Sequence, residues 1–474
     1  MHELIASTEI HAEEIVSFCG GIRKDCLGDR IFRRVCTDSR RIEGGDLFLA
    51  LRGPRFDGHG FINEALEKGA SGLVVEHAIP QELCASFDPV LIEVKDTFQA
   101  LGDMAAGWRK KFPIPVGVLT GSNGKTTTKE MAAGILGIPF RLLWSRGNFN
   151  NLIGLSLTLL ELHTRHERVL LEMGMNRPGE IGRLTWIAQP QVGVLLNVAP
   201  AHMERFRDIR DIAAAKGEML EVMHSDALLV FNYDDPLVRE LAKGWKGSSL
   251  SFGTASEAGV RLIEAEDLGE KQRVILGWDS HKVECLLQVA GIHNRHNALA
   301  AAAIATAMGA DQESVYRGLS AFQGVSGRFS VVKADRYTLI DDTYNANPRS
   351  MECALENLMH MSRDATRMAV LGDMLELGSY AHEAHRALGT HAARTGLSHL
   401  VLIGNHAGVV REGALGGGMG PDQIHIAADS AEAAQWIYRV LKGGEWILVK
   451  GSRGMQMEKV IHALETLSGY RGSK

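Results

Sequence analysis

An apolar strand that runs into a glycine-rich turn and then into a helix is the feature that most narrows the fold of this chain. Residues 116–120 are Val-Gly-Val-Leu-Thr, and the turn that follows is Gly-Ser-Asn-Gly. Gly121 and Gly124 let the backbone curl so that its N–H groups converge on phosphate oxygens, while Lys125 can bridge the terminal phosphates. The predicted phosphate contacts are Gly121, Ser122, Asn123, Gly124, Lys125, Thr126 and Thr127.

The turn departs from the common phosphate-binding pattern at one position. Leu119 stands where that pattern has its first glycine, so the turn is a variant of the form TGxxGKT. The alternative is an ordinary glycine turn that caps a helix. The combination of strand, Gly-Lys-Thr and helix favours the phosphate loop.

Further apolar runs alternate with helical patterns along the chain and predict an α/β fold. The chain has 474 residues, which is enough for about three domains. We expect a small α/β domain at 1–105, a central doubly wound and mainly parallel sheet at 106–326, and a third, Rossmann-like α/β domain at 327–474. The alanine-rich run 298–308 is too short to span a bilayer and predicts a buried helix.

Charge and cysteine usage narrow the class of protein. The net charge is −6, which argues against a protein that coats nucleic acid. The six cysteines are scattered without a Cys-x-x-Cys pair, which favours reduced thiols. The first residues lack a basic start followed by an apolar core, so they do not predict a signal peptide. We therefore expect a cytoplasmic protein without stable membrane insertion.

Two polar residues follow apolar runs of the central segment, at the strand ends where ligands bind in open α/β sheets. Glu172 ends the run 169–171, and His202 follows the run 192–198. Together with the hydroxyl of Thr126, their oxygen and nitrogen atoms could hold Mg²⁺ or Mn²⁺ beside the phosphate loop. Each could instead be an ordinary polar residue at a strand end.

Lys216 lies inside the apolar stripe of a predicted helix at 209–223, four residues from both Ile212 and Leu220. The side chain could extend its charge to solvent along its aliphatic stem. A buried amine would instead have a lowered pKa and could take up CO₂ as a carbamate. That carbamate would be a carboxylate and could hold a second metal ion.

The order of these motifs resembles the Mur ligase family, whose members are ATP-dependent amide-forming ligases of peptidoglycan precursor synthesis. The segment 291–297 is similar to the family's adenine and ribose site. The resemblance implies ATP, two Mg²⁺ ions and a carbamylated lysine as cofactors. The implied catalytic residues are Lys125, His202, Lys216 and Arg328. The implied metal ligands are Thr126, Glu172, His202 and the Lys216 carbamate. The implied ATP contacts outside the phosphate loop are Asn294, Asn297, Arg328, Asp342 and Tyr344.

Other segments resemble the family member that joins D-alanyl-D-alanine to UDP-N-acetylmuramoyl-tripeptide. Residues 148–151 are similar to its GNxNN stretch and residues 371–378 to its LGDMxELG signature, while 37–40 and 56–61 resemble the family's uridine-binding first domain. The resemblance implies that these two molecules are the partners and that the enzyme is a monomer. The implied substrate contacts are Ser39, Arg40, Asp57, Gly58, His59, Asn148, Asn150, Asn151, Asn345, Asn347 and Asp373.

Three alternatives stay open. The first is the sister ligase that adds the third amino acid, diaminopimelate or lysine, although its DNPR-type acceptor motif is absent from the corresponding region. The second is a folate polyglutamate or cyanophycin-type ligase with the same central domain, against which the uridine-type first domain speaks. The third is a non-catalytic nucleotide-binding partner protein, which the joint presence of Glu172, His202, Lys216 and Arg328 disfavours.

Overall fold

Three sheets with helices packed on their faces make up the protein. The computed structural model describes residues 9–25, 29–53, 56–201 and 203–469, so the predicted metal ligand His202 lies outside the described residues. The mixed but mainly parallel sheets confirm the predicted α/β class. Within the described ranges, no helix is both long enough and apolar enough to cross a bilayer.

The first sheet and its helices occupy residues 10–93. The elements are β1 Ile10–His11, α1 Ala12–Cys19, β2 Ile22–Arg23, β3 Ile31–Phe32, β4 Val35–Cys36, β5 Leu47–Leu49, β6 Arg52–Gly53, β7 Phe56–Asp57, α2 Ile62–Glu67, β8 Gly72–Val75, α3 Gln81–Phe87 and β9 Val90–Glu93. The strand order is β2-β9-β8-β5-β4, and only β2 runs antiparallel to its neighbour. Two small antiparallel ribbons, β1 with β3 and β6 with β7, accompany this sheet.

A long helix, α4 Thr97–Lys110, joins the first sheet to the central one. Near its end, Trp108 is buried and its Nε1 donates a hydrogen bond to the carbonyl of Leu162 at 3.0 Å. The buried guanidinium of Arg109 donates to the carbonyl of Ala188 at 3.2 Å. The first and central sheets therefore share one apolar core, and the boundary expected at residue 105 falls inside α4.

The central sheet has nine strands and contains the predicted phosphate loop. Its elements are β10 Val116–Thr120, α5 Lys125–Leu136, β11 Leu142–Trp144, α6 Leu152–Leu160, β12 Arg168–Glu172, α7 Glu180–Ala188, β13 Val192–Leu195, α8 Ile209–Val222, β14 Leu228–Asn232, α9 Pro236–Lys243, β15 Ser249–Gly253, β16 Val260–Asp267, β17 Gln272–Trp278, β18 His281–Leu287, α10 Ile292–Ala307 and α11 Gln312–Ala321. The order is β11-β12-β10-β13-β14-β15-β16-β17-β18, and the antiparallel pairs are β16 with β17 and β17 with β18. After β10 the chain forms β11 and β12 on one side and then β13 to β18 on the other, which places the end of β10 at a topological switch point.

The third sheet has six strands in residues 330–450. Its elements are β19 Ser330–Lys333, β20 Tyr337–Asp342, α12 Pro348–Ser362, β21 Arg367–Gly372, α13 Ala381–Ala393, β22 His399–Ile403, α14 Ala407–Gly416, β23 Ile424–Ala427, α15 Ser430–Val440, β24 Glu445–Lys450 and α16 Glu458–Ser468. The order is β19-β20-β24-β21-β22-β23, and only the edge strand β19 is antiparallel. The apolar runs of β21, β22 and β24 are buried because helices cover both faces of the sheet.

Candidate active site

The phosphate loop, residues 121–127, leaves the end of β10 and enters α5 at the switch point of the central sheet. Gly124 has φ +77°, and a Cβ atom there would lie 2.5 Å from Oδ1 of Asn297, so only glycine fits. The side chain of Asn197 accepts the N–H of Asn123 at 2.8 Å and donates to its carbonyl at 3.0 Å. These two hydrogen bonds hold the turn in this conformation without a contribution from a ligand.

A cavity of about 1180 Å³ opens above the phosphate loop. Residues of the central domain form one wall, and residues that precede β19 and follow β20 form most of the other. The predicted site residues in its lining are Ser122, Asn123, Gly124, Lys125, Thr126, Thr127, Asn150, Asn151, Glu172, Asn297, Arg328, Asp342, Tyr344, Asn345 and Asn347. This volume can hold a ligand larger than most drug-sized molecules, as a nucleotide together with a second substrate would require.

Lys125 is folded back onto its own loop. Its Nζ donates to the carbonyl of Gly121 at 2.8 Å and contacts that of Ser122 at 3.4 Å. Burial lowers the pKa of Lys125, the positive charge of Arg328 lowers it further, and the negative charge of Glu172 opposes both. Because a phosphate group in the loop would add negative charge beside this amine, we expect phosphate binding to favour the ammonium form.

Arg328 reaches across from the third domain to the phosphate loop. Its Nη2 donates to the hydroxyl of Thr126 at 2.9 Å, and its guanidinium lies 3.9 Å from the ring centroid of Tyr344. A second contact between the same domains joins Nδ2 of Asn347 to Oδ1 of Asn123 at 2.7 Å. The third domain therefore contributes a cation and a polar side chain directly to the phosphate-binding region.

Asp342 and Lys450 form an ion pair at the rim of the cavity. Lys450 Nζ lies 2.7 Å from Asp342 Oδ2, and the N–H of Phe329 donates to the other carboxylate oxygen at 3.1 Å. Sequence reasoning missed Lys450, which lies opposite Asp342 where β20 and β24 end together. In the sequence, Lys450 directly follows the apolar run 446–449, which marks it as a residue at a strand end. Its position beside Asp342 follows only from the pairing of two strands that are about a hundred residues apart.

Asn294 and Asn297 lie on the first two turns of α10 and are hydrogen-bonded to each other. Asn297 lines the cavity, and its Nδ2 donates a hydrogen bond to Oδ1 of Asn294 at 3.1 Å. The hydroxyl of Thr128 donates a hydrogen bond to Oδ1 of Asn297 at 3.3 Å. Asn294 is buried behind Asn297 and donates to the carbonyl of Ala290 at 2.7 Å. Asn294 thus orients Asn297, and Asn297 is the member of the pair that a ligand in the cavity would meet.

Glu172 is buried at the end of β12 with one unsatisfied oxygen. Its Oε1 accepts a hydrogen bond from Nδ2 of Asn150 at 2.8 Å, whereas Oε2 has no hydrogen-bond partner among the described residues. Such an oxygen is costly to bury unless a cation neutralises it. The arrangement fits a Mg²⁺ ligand, since a carboxylate oxygen and a hydroxyl, here that of Thr126, are suitable donors.

Lys129 is a second cation near Glu172 that sequence reasoning missed. It is fully buried, and its Nζ lies 2.8 Å from an oxygen of Glu130 and 3.9 Å from Oε2 of Glu172. The same Nζ donates to the carbonyl of Gly147 at 3.0 Å. Its position one helical turn after Lys125, on the inward face of α5, was the available signal. Lys129 therefore joins α5 to the residue that precedes the asparagine-rich stretch 148–151.

Lys216 is buried in α8, as the helical stripe predicts, with 4% of its surface exposed. Burial lowers the pKa of Lys216 well below its usual value, and the charge of Lys125 acts in the same direction. No hydrogen bond or ion pair of its side chain occurs in the part of the chain that the structure describes. A lowered pKa increases the neutral fraction of the amine, and the neutral form is the one that can react with CO₂.

The asparagine-rich stretch connects the cavity to α6. Asn150 binds Glu172, and Asn151 caps α6 by accepting the N–H of Gly154 at 2.9 Å. Asn148 is exposed, and its carbonyl accepts the N–H of Asn150 at 2.7 Å. Asn150 and Asn151 line the cavity, while Asn148 lies outside the lining.

The predicted contacts of the first domain lie outside that cavity, and their polar side chains are paired within that domain. Ser39 donates to Glu64 at 2.9 Å, and Arg40 binds Asp38 at 2.9 Å. Asp57 accepts from the backbone N–H and the Nδ1 of His59 at 3.0 and 2.6 Å. A Cβ at position 58 would lie 2.8 Å from the backbone nitrogen of Leu51, so Gly58 is required there.

Asp373 is buried behind the cavity wall. Its carboxylate accepts the N–H groups of Asn405 at 2.8 Å and His406 at 3.1 Å, at the start of α14. Asn345 is exposed at the cavity edge, and its carbonyl accepts Lys450 Nζ at 2.9 Å. Of the three acceptor contacts expected in this domain, Asn345 and Asn347 line the cavity and Asp373 does not.

Comparison with known proteins accounts for most of the chain. Residues 32–109 match the family model described as Mur ligase family, catalytic domain; residues 119–305 match the Mur ligase middle domain; and residues 327–453 match the Mur ligase, glutamate ligase domain. A UDP-N-acetylmuramoyl-tripeptide–D-alanyl-D-alanine ligase of Bacillus subtilis is 32% identical over 435 residues, which cover 92% of this chain and 93% of that protein. The chain belongs to the Mur ligase family. The resemblance seen in the sequence is thereby confirmed.

Solved structures agree with this assignment to the Mur ligases. A crystal structure of MurF from Acinetobacter baumannii matches with a TM-score of 0.89 and 32% identity over 97% of this chain and 99% of that chain. MurF ligase from Thermotoga maritima, solved in complex with ADP, matches with a TM-score of 0.81 and 28% identity over 92% and 98% of the two chains. The three-domain Mur ligase fold expected from the motifs is therefore confirmed.

Proposed function

We propose that this chain is an ADP-forming ligase that joins D-alanyl-D-alanine to UDP-N-acetylmuramoyl-tripeptide and so makes the pentapeptide precursor of peptidoglycan. The observation that carries the proposal is the cavity in which the phosphate loop of one domain meets Arg328 and Asn347 of another. The relative described above is named for this reaction and aligns over nearly its whole length. The ADP complex of a similar ligase supports the use of ATP.

The chemistry must overcome the poor reactivity of a carboxylate toward an amine. The γ-phosphorus of ATP forms a bond to a carboxylate oxygen of the tripeptide while its bond to the bridging oxygen of ADP breaks, which gives an acyl phosphate. The neutral amine of D-alanyl-D-alanine then attacks the acyl carbon, phosphate leaves with the carboxylate oxygen, and the nitrogen loses one proton and keeps the other as the amide N–H. Such a reaction depends on positioning and charge stabilisation more than on covalent help.

The residues around the phosphate loop supply that charge stabilisation. Lys125 and Arg328 are cations on opposite walls, so they can bind the phosphate oxygens from two sides as charge moves toward ADP. Backbone N–H groups of the turn add donors that need no reorganisation. Asn297, Asp342 and Tyr344 line the same cavity, and we propose that they contact the adenine and the ribose of ATP. One chain provides all of these groups, which supports activity as a monomer.

We propose Mg²⁺ as the metal at this site, with Thr126 and Glu172 as ligands. The unsatisfied oxygen of Glu172 supports this choice. When bound, the ion would neutralise phosphate charge and orient the γ-phosphoryl group. A carbamate formed on Lys216 by addition of CO₂ and loss of a proton would add a carboxylate, and with His202 it would provide a second metal site.

The first domain is proposed to bind the uridine part of the substrate. Ser39, Arg40, Asp57, Gly58 and His59 are grouped on short turns that follow β4 and β7. The exposed guanidinium of Arg40 is held by Asp38 and is therefore oriented before a ligand arrives. A cation held in this way suits the diphosphate of a UDP-linked substrate. Since ATP and UDP-linked precursors are cytoplasmic metabolites, we propose that the enzyme acts in the cytoplasm.

An acceptor panel tests the proposed function. Purified protein with ATP, Mg²⁺ and UDP-N-acetylmuramoyl-tripeptide should release ADP in a coupled assay only when D-alanyl-D-alanine is added. A matched reaction holds UDP-N-acetylmuramoyl-dipeptide with diaminopimelate or lysine. ADP release in that reaction alone would identify the sister ligase and contradict the proposal, and ADP binding without amide product in any mixture would indicate a nucleotide-binding partner protein.

A further inference from the structure

The stretch 372–378, Gly-Asp-Met-Leu-Glu-Leu-Gly, belongs to a sequence signature for which the mechanism above gives no use; it is named here the Asp373 loop. Two side chains from other elements hold its backbone. His385 Nε2 accepts the N–H of Met374 at 3.0 Å, and Ser452 Oγ accepts the N–H of Leu375 at 2.8 Å. Asp373 itself binds the start of α14. The loop is therefore a rigid projection from the end of β21.

The projection ends on the central domain. The carbonyl of Glu376 accepts a hydrogen bond from the backbone N–H of Glu204 at 3.2 Å. Glu376 adopts φ +65°, a left-handed conformation that non-glycine residues rarely take. Residues are held in such conformations when the surrounding contacts require them, and these positions concentrate at functional sites. The left-handed turn here belongs to the residue whose carbonyl makes the contact between domains.

Gly378 makes the approach between the two domains possible. Its φ is +54°, and a Cβ at this position would lie 3.1 Å from Cα of Glu204 and 3.4 Å from its backbone nitrogen. Cγ of Glu204 also lies 3.4 Å away, and because the other two atoms belong to the backbone, the backbone of Glu204 would have to shift by a few tenths of an ångström. A side chain at 378 would therefore push the Asp373 loop away from Glu204.

Apolar packing fixes the same segment of the central domain. Met203 packs against the core that the first and central sheets share and also against the core of the third domain. Phe206, three residues on, is buried with 5% of its surface exposed. The segment 203–206 is thus held at one end by the third domain and at the other by the central core.

We propose that the Asp373 loop is a docking element that positions the segment 203–206 and, through it, the chain that bears His202. Met203 follows His202 directly, so the loop acts on the predicted metal-binding segment through the backbone rather than by touching substrate. The Asp373 loop is in this sense a set of positioning residues. The inference rests on the proposed function for its kinetic consequence but not for the contact itself.

Two glycines of the third domain provide a matched test. Gly378 and Gly396 have similar left-handed conformations, φ +54° and +66°, but a Cβ at Gly396 would meet nothing within 4 Å. Asparagine tolerates this conformation better than other residues with a side chain. Gly378→Asn and Gly396→Asn therefore carry a similar backbone penalty, and only the first interferes with Glu204.

The direct readout is hydrogen–deuterium exchange of the full chain, followed by mass spectrometry on the peptide that covers 203–208. We expect Gly378→Asn to speed exchange of this peptide by about tenfold, since a lost hydrogen bond opens the segment locally. Gly396→Asn should leave it unchanged. This measurement needs no substrate, so its failure is separate from a failure of the proposed function. Equal exchange in both variants would overturn the proposal.

The kinetic readout separates positioning from nucleotide binding. In Gly378→Asn we expect kcat to fall by about tenfold while the KM for ATP stays within about threefold, because the phosphate loop keeps its own contacts. Gly396→Asn should retain both values. An equal loss of kcat in the two variants would show that backbone strain in the third domain, and not the contact with Glu204, is responsible, and the proposal would be wrong.

Discussion

Charged side chains are concentrated both in the phosphate-loop cavity and on the turns of the first domain, but the two regions differ in where the partners of these charges come from. In the first domain, partners are close in sequence, as with Arg40 and Asp38 or His59 and Asp57. In the cavity, contacts join distant parts of the chain, and one oxygen of Glu172 has no hydrogen-bond partner among the described residues. The orientation of the first-domain side chains is therefore determined by residues nearby in the sequence. The cavity, in contrast, is complete only when the third domain is in place. We expect substitutions in the cavity to lower kcat and substitutions in the first domain to raise KM.

The largest effect is expected at Lys125. Lys125→Ala removes a cation that we propose binds the phosphates, and the loss of such a charge donor lowers kcat by about a hundredfold or more. Initial rates of ADP release at saturating ATP measure the effect. Lys110→Ala, an exposed lysine at the end of α4, is the control and should retain full turnover. Near-normal kcat in Lys125→Ala would contradict the proposed role of the loop.

Arg328→Ala should have the next largest effect, a fall in kcat of about tenfold to a hundredfold, the range expected for loss of a charged hydrogen-bonding group. Arg336 is a matched control because it also stacks on a tyrosine of the third domain, with its guanidinium 5.3 Å from the ring centroid of Tyr438. Arg336 does not line the cavity. An equal loss of kcat in Arg336→Ala would show that the substitutions act on the stability of the third domain and not on catalysis.

Lys216→Ala should lower kcat by about tenfold to a hundredfold if a carbamate at this position supports metal binding. Added short carboxylates such as acetate should restore part of the activity, because they replace the missing carboxylate. Lys243→Ala, an exposed lysine on α9, should be normal and insensitive to acetate. Full activity of Lys216→Ala without any additive would return this lysine to a purely structural role.

The smallest effect is expected in the first domain. Arg40→Ala should raise the KM for the UDP-linked substrate by about fivefold and leave kcat unchanged, since it removes one charged contact remote from the reacting atoms. Arg30→Ala is the control, because Arg30 is an ion-paired arginine of the same domain, 3.2 Å from Asp88. If Arg40→Ala lowered kcat instead, the assignment of substrate binding to the first domain and of catalysis to the cavity would be wrong.

The sequence predicted the features that local pattern determines. The apolar run 116–120 followed by Gly121–Thr127 predicted the phosphate loop. The apolar stripe around Lys216 predicted that this lysine is buried. Lys450 and Lys129 were missed because their roles depend on strand pairing and on helix-to-loop packing, which join residues distant in the chain. Asp373 stood in a motif that resemblance associates with substrate, and its carboxylate instead binds the backbone at the start of α14. Motif spacing does not reveal which way a side chain faces.

In the proposed reaction, the carboxylate of the tripeptide substrate is activated by phosphorylation in the cavity. Substrate labelled with ¹⁸O in that carboxylate tests this step directly, because the oxygen that bridges carbon and phosphorus leaves with phosphate. Mass spectrometry of the products should find one ¹⁸O atom in inorganic phosphate for each amide formed from fully labelled carboxylate. Inorganic phosphate free of ¹⁸O, with amide still formed, would contradict the acyl phosphate and the account built on it.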